Sequence, residues 1–173
     1  MERTKSVNGK KRLFADFALF LIAAAFDLIT KAAAADRLKG QPELPLLPGI
    51  LELRYLENHG AAFSLFQNGR IMFSIVAVSA VILIAAMLLR PPATRRYLPF
   101  RLCLVAVAAG AAGNLADRLL YGYVRDFIYF VLIDFPIFNV ADIYVTCAAA
   151  LLCILILFYY REEDFAFLRR RVS

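Results

Sequence analysis

Asn114, Asp117 and Arg118 stand three and four residues apart, the spacing that brings side chains onto one face of a helix. Asp126 follows shortly after, and Asn139 and Asp142 share a helical face by the same three-residue rule. Two carboxylates, two carboxamides and an arginine are thereby expected together at the same end of two neighbouring helices. Carboxylates that approach closely cannot both ionise, so such a pair holds one proton. One member then activates a water while the other protonates or hydrogen-bonds the carbonyl under attack. The chemistry is hydrolysis without a covalent intermediate. A plainer reading has Asp117 and Arg118 only capping and pairing helix ends. It covers Asp117 but serves Asp126 and Asp142 poorly, because three aspartates would share one arginine.

Asp27 and Lys31, four residues apart, form a second pair on one helical face. An internal ion pair is preferred here over a proton relay, since the two charges neutralise each other. Asp16 is expected near a membrane boundary, reaching the headgroups. Ser64 and His59 share a loop, but without a G-x-S-x-G elbow they do not make a serine hydrolase. Cys103, Cys147 and Cys153 fall inside apolar runs and read as small packing residues without a structural disulfide. With 1 His in the chain there is no zinc-type ligand set, and neither metal nor cofactor is expected.

Composition says what must hold these groups. The chain has 173 residues, 62% of them apolar and 20% charged, with a mean hydropathy of +0.67. Soluble domains run near 45–50% apolar and about 25% charged. A cytosolic globule is therefore excluded. The 20 basic and 14 acidic residues do not line one face between aromatics, so nucleic acid is excluded as a partner. Four runs have roughly the 20 apolar residues that a membrane helix needs: residues 13–35, 71–89, 98–119 and 137–160. Arginine and lysine crowd the segment before the first run, the loop between the second and third, and the tail after the fourth. The positive-inside rule then puts both termini in the cytoplasm, with loops 36–70 and 121–136 outside. A cleaved signal peptide at the N-terminus is the weaker alternative, because Asp27 and Lys31 interrupt the required pattern. Residues 50–57, ILELRYLE, alternate as a β-strand does, and a turn at Asn58, His59 and Gly60 follows. The second loop, rich in Phe, Ile and Tyr over residues 127–133, is expected to lie in the membrane interface.

At these same residues the chain resembles a known family. NHGAAFS (58–64), AGAAGNLADRLLYGYVRDFI (109–128), FNVAD (138–142) and DLITK (27–31) look like the signature blocks of lipoprotein signal peptidase, or signal peptidase II. They come in the expected order on the four predicted spans. The resemblance implies a membrane-embedded aspartic endopeptidase that cuts diacylglyceryl-modified prolipoproteins just before the lipidated cysteine. The family's catalytic aspartates fall on Asp126 and Asp142. Its substrate- and inhibitor-contacting polar residues fall on Asn58, Asn114, Arg118 and Asn139. Gly60, Ala61 and Ala62 would line a tight site suited to the small residues before that cysteine. Loop 36–70 and the apolar segment 127–133 would clamp the substrate from above. Implied partners are prolipoprotein substrates, membrane lipids and globomycin-type inhibitors, with a monomer as the expected unit. Two departures matter: Ala109 stands where Gly is usual, and Arg125 precedes the catalytic aspartate, where an apolar residue is common and a charge could alter its pKa.

The expected fold is an all-α membrane protein, a single integral-membrane peptidase domain over residues 1–173. It has four transmembrane helices, a small β-structured periplasmic element and an interfacial periplasmic loop segment. The expected location is the bacterial inner membrane, with the active site near the outer face. Two rivals remain open at this point. A small transporter would relay protons through Asp27, Lys31, Asp117 and Asp142 and leave Asp126 dispensable. An assembly subunit packed through Gly110 and Gly113 would tolerate carboxamides at both Asp126 and Asp142.

Overall fold

Long apolar runs can satisfy their backbone groups in lipid only by coiling into helices. The computed structural model describes residues 9–60 and 69–169. In it the four runs form α1 (Gly9–Leu38), α2 (Gly69–Leu88), α3 (Leu98–Leu120) and α4 (Val140–Ile154), the last continuing through a π-type turn at Leu155–Tyr159. All four are long and apolar enough to cross a membrane. At 30 residues, α1 is about 45 Å long, longer than the hydrocarbon core of about 30 Å. Its two ends therefore reach the polar zones on both sides.

α3 is the central post, packed against α1, α2 and α4. Half of its apolar window is buried, 50% against 11%, 6% and 11% in the other three, which turn most of their surface outward. That position explains its Ala- and Gly-rich sequence, since close helix approach requires small residues. A side chain at Gly110 would come within 2.5 Å of the Ala141 carbonyl oxygen and 2.8 Å of Val145. One at Gly113 would collide with the Asp27 carboxylate.

Between the helices, β1 (Leu44–Leu47), β2 (Leu51–Asn58) and β3 (Val124–Phe130) make an antiparallel sheet in the order β1-β2-β3. Phe127 packs with Ala34 and Leu38 of α1, and Leu53, Tyr55 and Val140 complete that cluster. The sheet thus sits on the C-terminal end of α1 and the start of α4. The segment over residues 127–133 expected at the interface has more regular structure than a loop. Its first part is the third strand, because pairing with β2 satisfies a backbone that would otherwise face lipid. A 3-10 turn at Val131–Ile133 follows, with Leu132, Ile133 and Phe135 exposed, and Phe138 bridges back to Ile128 before α4. The fourth helix also starts at Val140 rather than at residue 137, since Asn139 and Asp142 close a reciprocal capping box there.

Two smaller expectations fail. Asp16 does not reach for headgroups; it is buried and accepts hydrogen bonds from Arg101 Nη2 and Nε at 2.8 and 3.0 Å. An in-bundle guanidinium was nearer than solvent. Of the cysteines only Cys103 is buried, while Cys147 and Cys153 lie on the outer face of α4. The contact at Gly110 can be checked directly. Gly110→Ala should lower thermal stability in detergent by about 1–3 kcal/mol, the usual cost of overpacking. Gly9→Ala, where an added carbon would meet nothing within 4 Å, should leave it unchanged.

Candidate active site

The groups that could do chemistry gather where α1, α3, α4 and the sheet meet. Of the six largest fully buried side chains among the described residues, five are polar or charged: Lys31, Asn139, Asp27, Asp117 and Asp126. Buried charges persist only when paired and hydrogen-bonded. Here they are. Lys31 Nζ lies 2.8 Å from Asp27 Oδ2 and 3.9 Å from Asp117 Oδ2, and donates to Asn114 Oδ1 at 2.7 Å. Asp27 Oδ1 accepts from the backbone N–H of Ala141 at 2.9 Å, which fastens α1 to the first turn of α4.

Asp117 has a partner that helix spacing could not reveal. Its oxygens accept from Arg125 Nη2 at 2.7 Å and from the Arg125 backbone N–H at 2.9 Å. The chain turns between α3 and β3 through Gly122, at φ 89°, a left-handed conformation that glycine adopts without strain. That turn brings Arg125 back onto Asp117. Pairing of Asp117 with Arg118 is therefore corrected. The expected effect of Arg125 on Asp126 is corrected too, because the guanidinium is committed to Asp117. Arg118 instead lies over the Phe73 ring and within electrostatic range of Asp142, Asp126 and Asp117.

Asp126 and Asp142 reach one place from different elements. Asn139 connects them: its Nδ2 donates to Asp126 Oδ1 at 2.6 Å, and its backbone N–H donates to Asp142 Oδ2 at 3.0 Å. Asn114 Nδ2 donates to Asp142 Oδ1 at 2.9 Å, and Asn58 Nδ2, from the adjacent strand, donates to Asp126 Oδ2 at 2.8 Å. Each carboxamide is oriented by its other end. Asn114 must turn its oxygen to Lys31, Asn139 turns its oxygen to the Asp142 backbone N–H at 3.2 Å, and Asn58 turns its oxygen to the Gly60 N–H at 2.8 Å. All three therefore point N–H groups at the carboxylates. Ala61, Ala62 and Ser64 lie outside the described residues. Of the loop's sequence-predicted residues, Asn58 contacts Asp126 directly, while Gly60 holds Asn58 through its backbone N–H.

Burial dominates the electrostatics of Asp126, which is 2% exposed. Loss of solvent pushes its carboxyl up to about 6; the hydrogen bonds from Asn58 and Asn139 pull the other way, and the nearby Asp142 charge adds to the rise. Four carboxylates (Asp27, Asp117, Asp126, Asp142) face three cations (Lys31, Arg118, Arg125) across this network. Fully ionised, the network carries one negative charge in excess. A carboxylate and a carboxylic acid side by side are what general acid–base hydrolysis requires.

Comparison with known proteins decides the family. The family model described as signal peptidase (SPase) II matches residues 19–158. The chain belongs to the signal peptidase II family. It is 43% identical to a lipoprotein signal peptidase of Symbiobacterium thermophilum over 138 residues, covering 78% of this chain and 88% of that one. It is 36% identical to a lipoprotein signal peptidase of Streptococcus pyogenes over 158 residues, covering 90% and 98%. A solved structure described as a bacterial membrane enzyme superposes with a TM-score of 0.75 at 26% identity, covering 92% of this chain and 100% of that one. Membership makes the chain a protease, and its four apolar helices together with that neighbour make it a bacterial membrane protein.

The raised carboxyl has a measurable consequence. In detergent, the infrared carboxylic-acid band of Asp126 should disappear as pH rises, with a midpoint near 6, and Asp126→Asn should remove that transition. The unfolded chain releases this proton at the ordinary value of 3.8. Between the two values the native state binds more protons, so this group's contribution to stability falls as pH rises. The Asn variant should lack that decline.

Proposed function

We propose that this signal peptidase II family member is an aspartic endopeptidase that removes the signal peptide from diacylglyceryl-modified prolipoproteins, cutting just before the lipidated cysteine. The observation that carries this reading is Asn139, which donates to both Asp126 and Asp142 and so holds the two carboxylates at a single reaction centre. The ionised member draws a proton from a water, which attacks the scissile carbonyl. The protonated member hydrogen-bonds the carbonyl oxygen, and a proton then passes to the leaving amine. Peptide bond cleavage needs nothing covalent from the protein. The whole chain acts as one membrane-embedded peptidase unit.

A groove supports the choice of substrate. A cavity of about 770 Å³ runs between the sheet and the start of α4, lined by Leu46, Leu51, Phe127, Ile128 and Phe138, with Asp142 also in its wall. An apolar groove with a carboxylate in its wall suits a substrate that keeps its acyl chains in lipid and offers one peptide bond at the surface. Tethering in the bilayer supplies orientation that a soluble protease must obtain from its cleft. Globomycin-type inhibitors are expected in the same groove, and a monomer is sufficient for it. The basic loops orient the protein in the bacterial inner membrane with both termini cytoplasmic and the aspartates near the outer face.

The transporter reading is less well supported. Asp27 is engaged at both oxygens, by Lys31 and by the Ala141 backbone, as suits a fixed structural pair rather than a relay. The decisive experiment is cleavage of diacylglyceryl-modified and unmodified precursors by purified protein in lipid. Asp126→Asn and Asp142→Asn should each fold normally and lose about 10²–10⁴-fold in rate, with unmodified precursor left uncut. Near-normal activity in either variant would overturn the dyad. Cutting of unmodified precursor would overturn the substrate class.

A further inference from the structure

α1 and α2 each pack along α3 and meet each other little. Between them, at the end of the bundle away from the aspartates, a cleft of about 280 Å³ is lined by Phe17, Phe20, Val81, Ala85, Leu88 and Val105. Its wall is apolar and its rim residue Phe17 is exposed on the outer surface, 58%, so the cleft opens toward lipid. Asp16, which also borders it, belongs to a buried charge cluster with Arg12 and Arg101.

That cluster is unbalanced. Asp16 is engaged by Arg101, the ion pair spanning 2.8 Å. Arg12, one helical turn before Asp16, has no carboxylate of its own among the described residues; it donates to the carbonyl oxygens of Pro91 and Leu88, the latter at 3.0 Å, at the C-terminal end of α2. Two guanidinium groups thus share one carboxylate. Arg12 is only 6% exposed, yet its Nε has no hydrogen-bond partner among the described residues. A buried guanidinium N–H left unpaired is costly and calls for an acceptor.

We propose that this cleft binds one anionic phospholipid, with an acyl chain between α1 and α2 and its phosphate at Arg12. The apolar slot accounts for the chain, and the surplus positive charge beside it accounts for the headgroup. Basic pockets between membrane helices hold anionic lipids on the same principle. The bound lipid fills the gap that α1 and α2 leave and supplies the acceptor that Arg12 lacks.

Native mass spectrometry of the full chain in detergent tests this, using phosphatidylglycerol, phosphatidylcholine and inorganic phosphate as probes. One phosphatidylglycerol should bind per chain about tenfold more tightly than phosphatidylcholine, the scale of one charge-assisted hydrogen bond. Millimolar inorganic phosphate should not displace it. Arg12→Gln should erase the preference between the two lipids. That variant also removes a cap from α2, so Ala85→Phe, which fills the cleft and leaves Arg12 in place, provides the second arm and should bind neither lipid. Equal binding of both lipids to the unaltered chain, or a preference surviving Arg12→Gln, would overturn the proposal. So would phosphatidylglycerol retained by Ala85→Phe, or its displacement by inorganic phosphate, which would make the ligand a free anion.

Discussion

A lysine ammonium with no access to water has to be neutralised where it stands, and most of the structure follows from how Lys31 meets that demand. Lys31 and Asp27 are each 0% exposed. Removing one partner of a buried pair typically costs about 3–5 kcal/mol, because the other charge is left uncompensated. To bring Asp27 and Asp117 to the same ammonium, α1 and α3 must approach closely, and Gly113 has no side chain because the Asp27 carboxylate occupies that space. Asp27 then holds the Ala141 backbone N–H, which sets the first turn of α4 against both. A helix start that carries Asn139 and Asp142 is thereby placed by a charge on a different helix.

The same ammonium decides which way Asn114 faces. An amide can be flipped with little change of shape, but an ammonium is a donor only, so Asn114 must offer Lys31 its oxygen. Its N–H group is left for Asp142. Asn139 and Asn58 are turned by backbone N–H groups with the same result. At Asp126 the donors from Asn58 and Asn139 favour the ionised form, while burial opposes ionisation, and burial wins.

Four spans, the β-alternation of residues 50–57 and the sharing of helical faces by Asn114 with Asp117 and by Asn139 with Asp142 were legible in the sequence. Each is a property of local period, and Asp27 with Lys31 likewise needed only the i,i+4 rule. What escaped was pairing across elements. Arg125 reaches Asp117 through a turn, Arg101 reaches Asp16 between two helices, and β3 pairs with β2 across the whole of α2 and α3. No periodicity encodes such contacts. The one available hint was the apolar run at residues 127–133, whose composition does not tell a paired strand from an unpaired interfacial segment. Asn58 and Gly60 came from family blocks rather than from spacing, since loop residues carry no period at all.

α3 has the lowest hydropathy of the four membrane helices and is the most buried, an inversion with a mechanical meaning. A helix facing lipid is held by apolar side chains and can carry few charges. A helix surrounded by other helices is relieved of that constraint and can bear Asn114, Asp117 and Arg118 at membrane depth. α1, α2 and α4 supply that shelter while facing outward with leucine, isoleucine and phenylalanine. The polar network and the apolar exterior are thus two parts of one arrangement. Water-dependent chemistry within a bilayer requires a centre that is polar but rigid, surrounded by surfaces that are apolar and free to accept lipid-bound chains. On the proposed function, a site at the end of α3, beside the sheet and an apolar groove, meets both requirements at once.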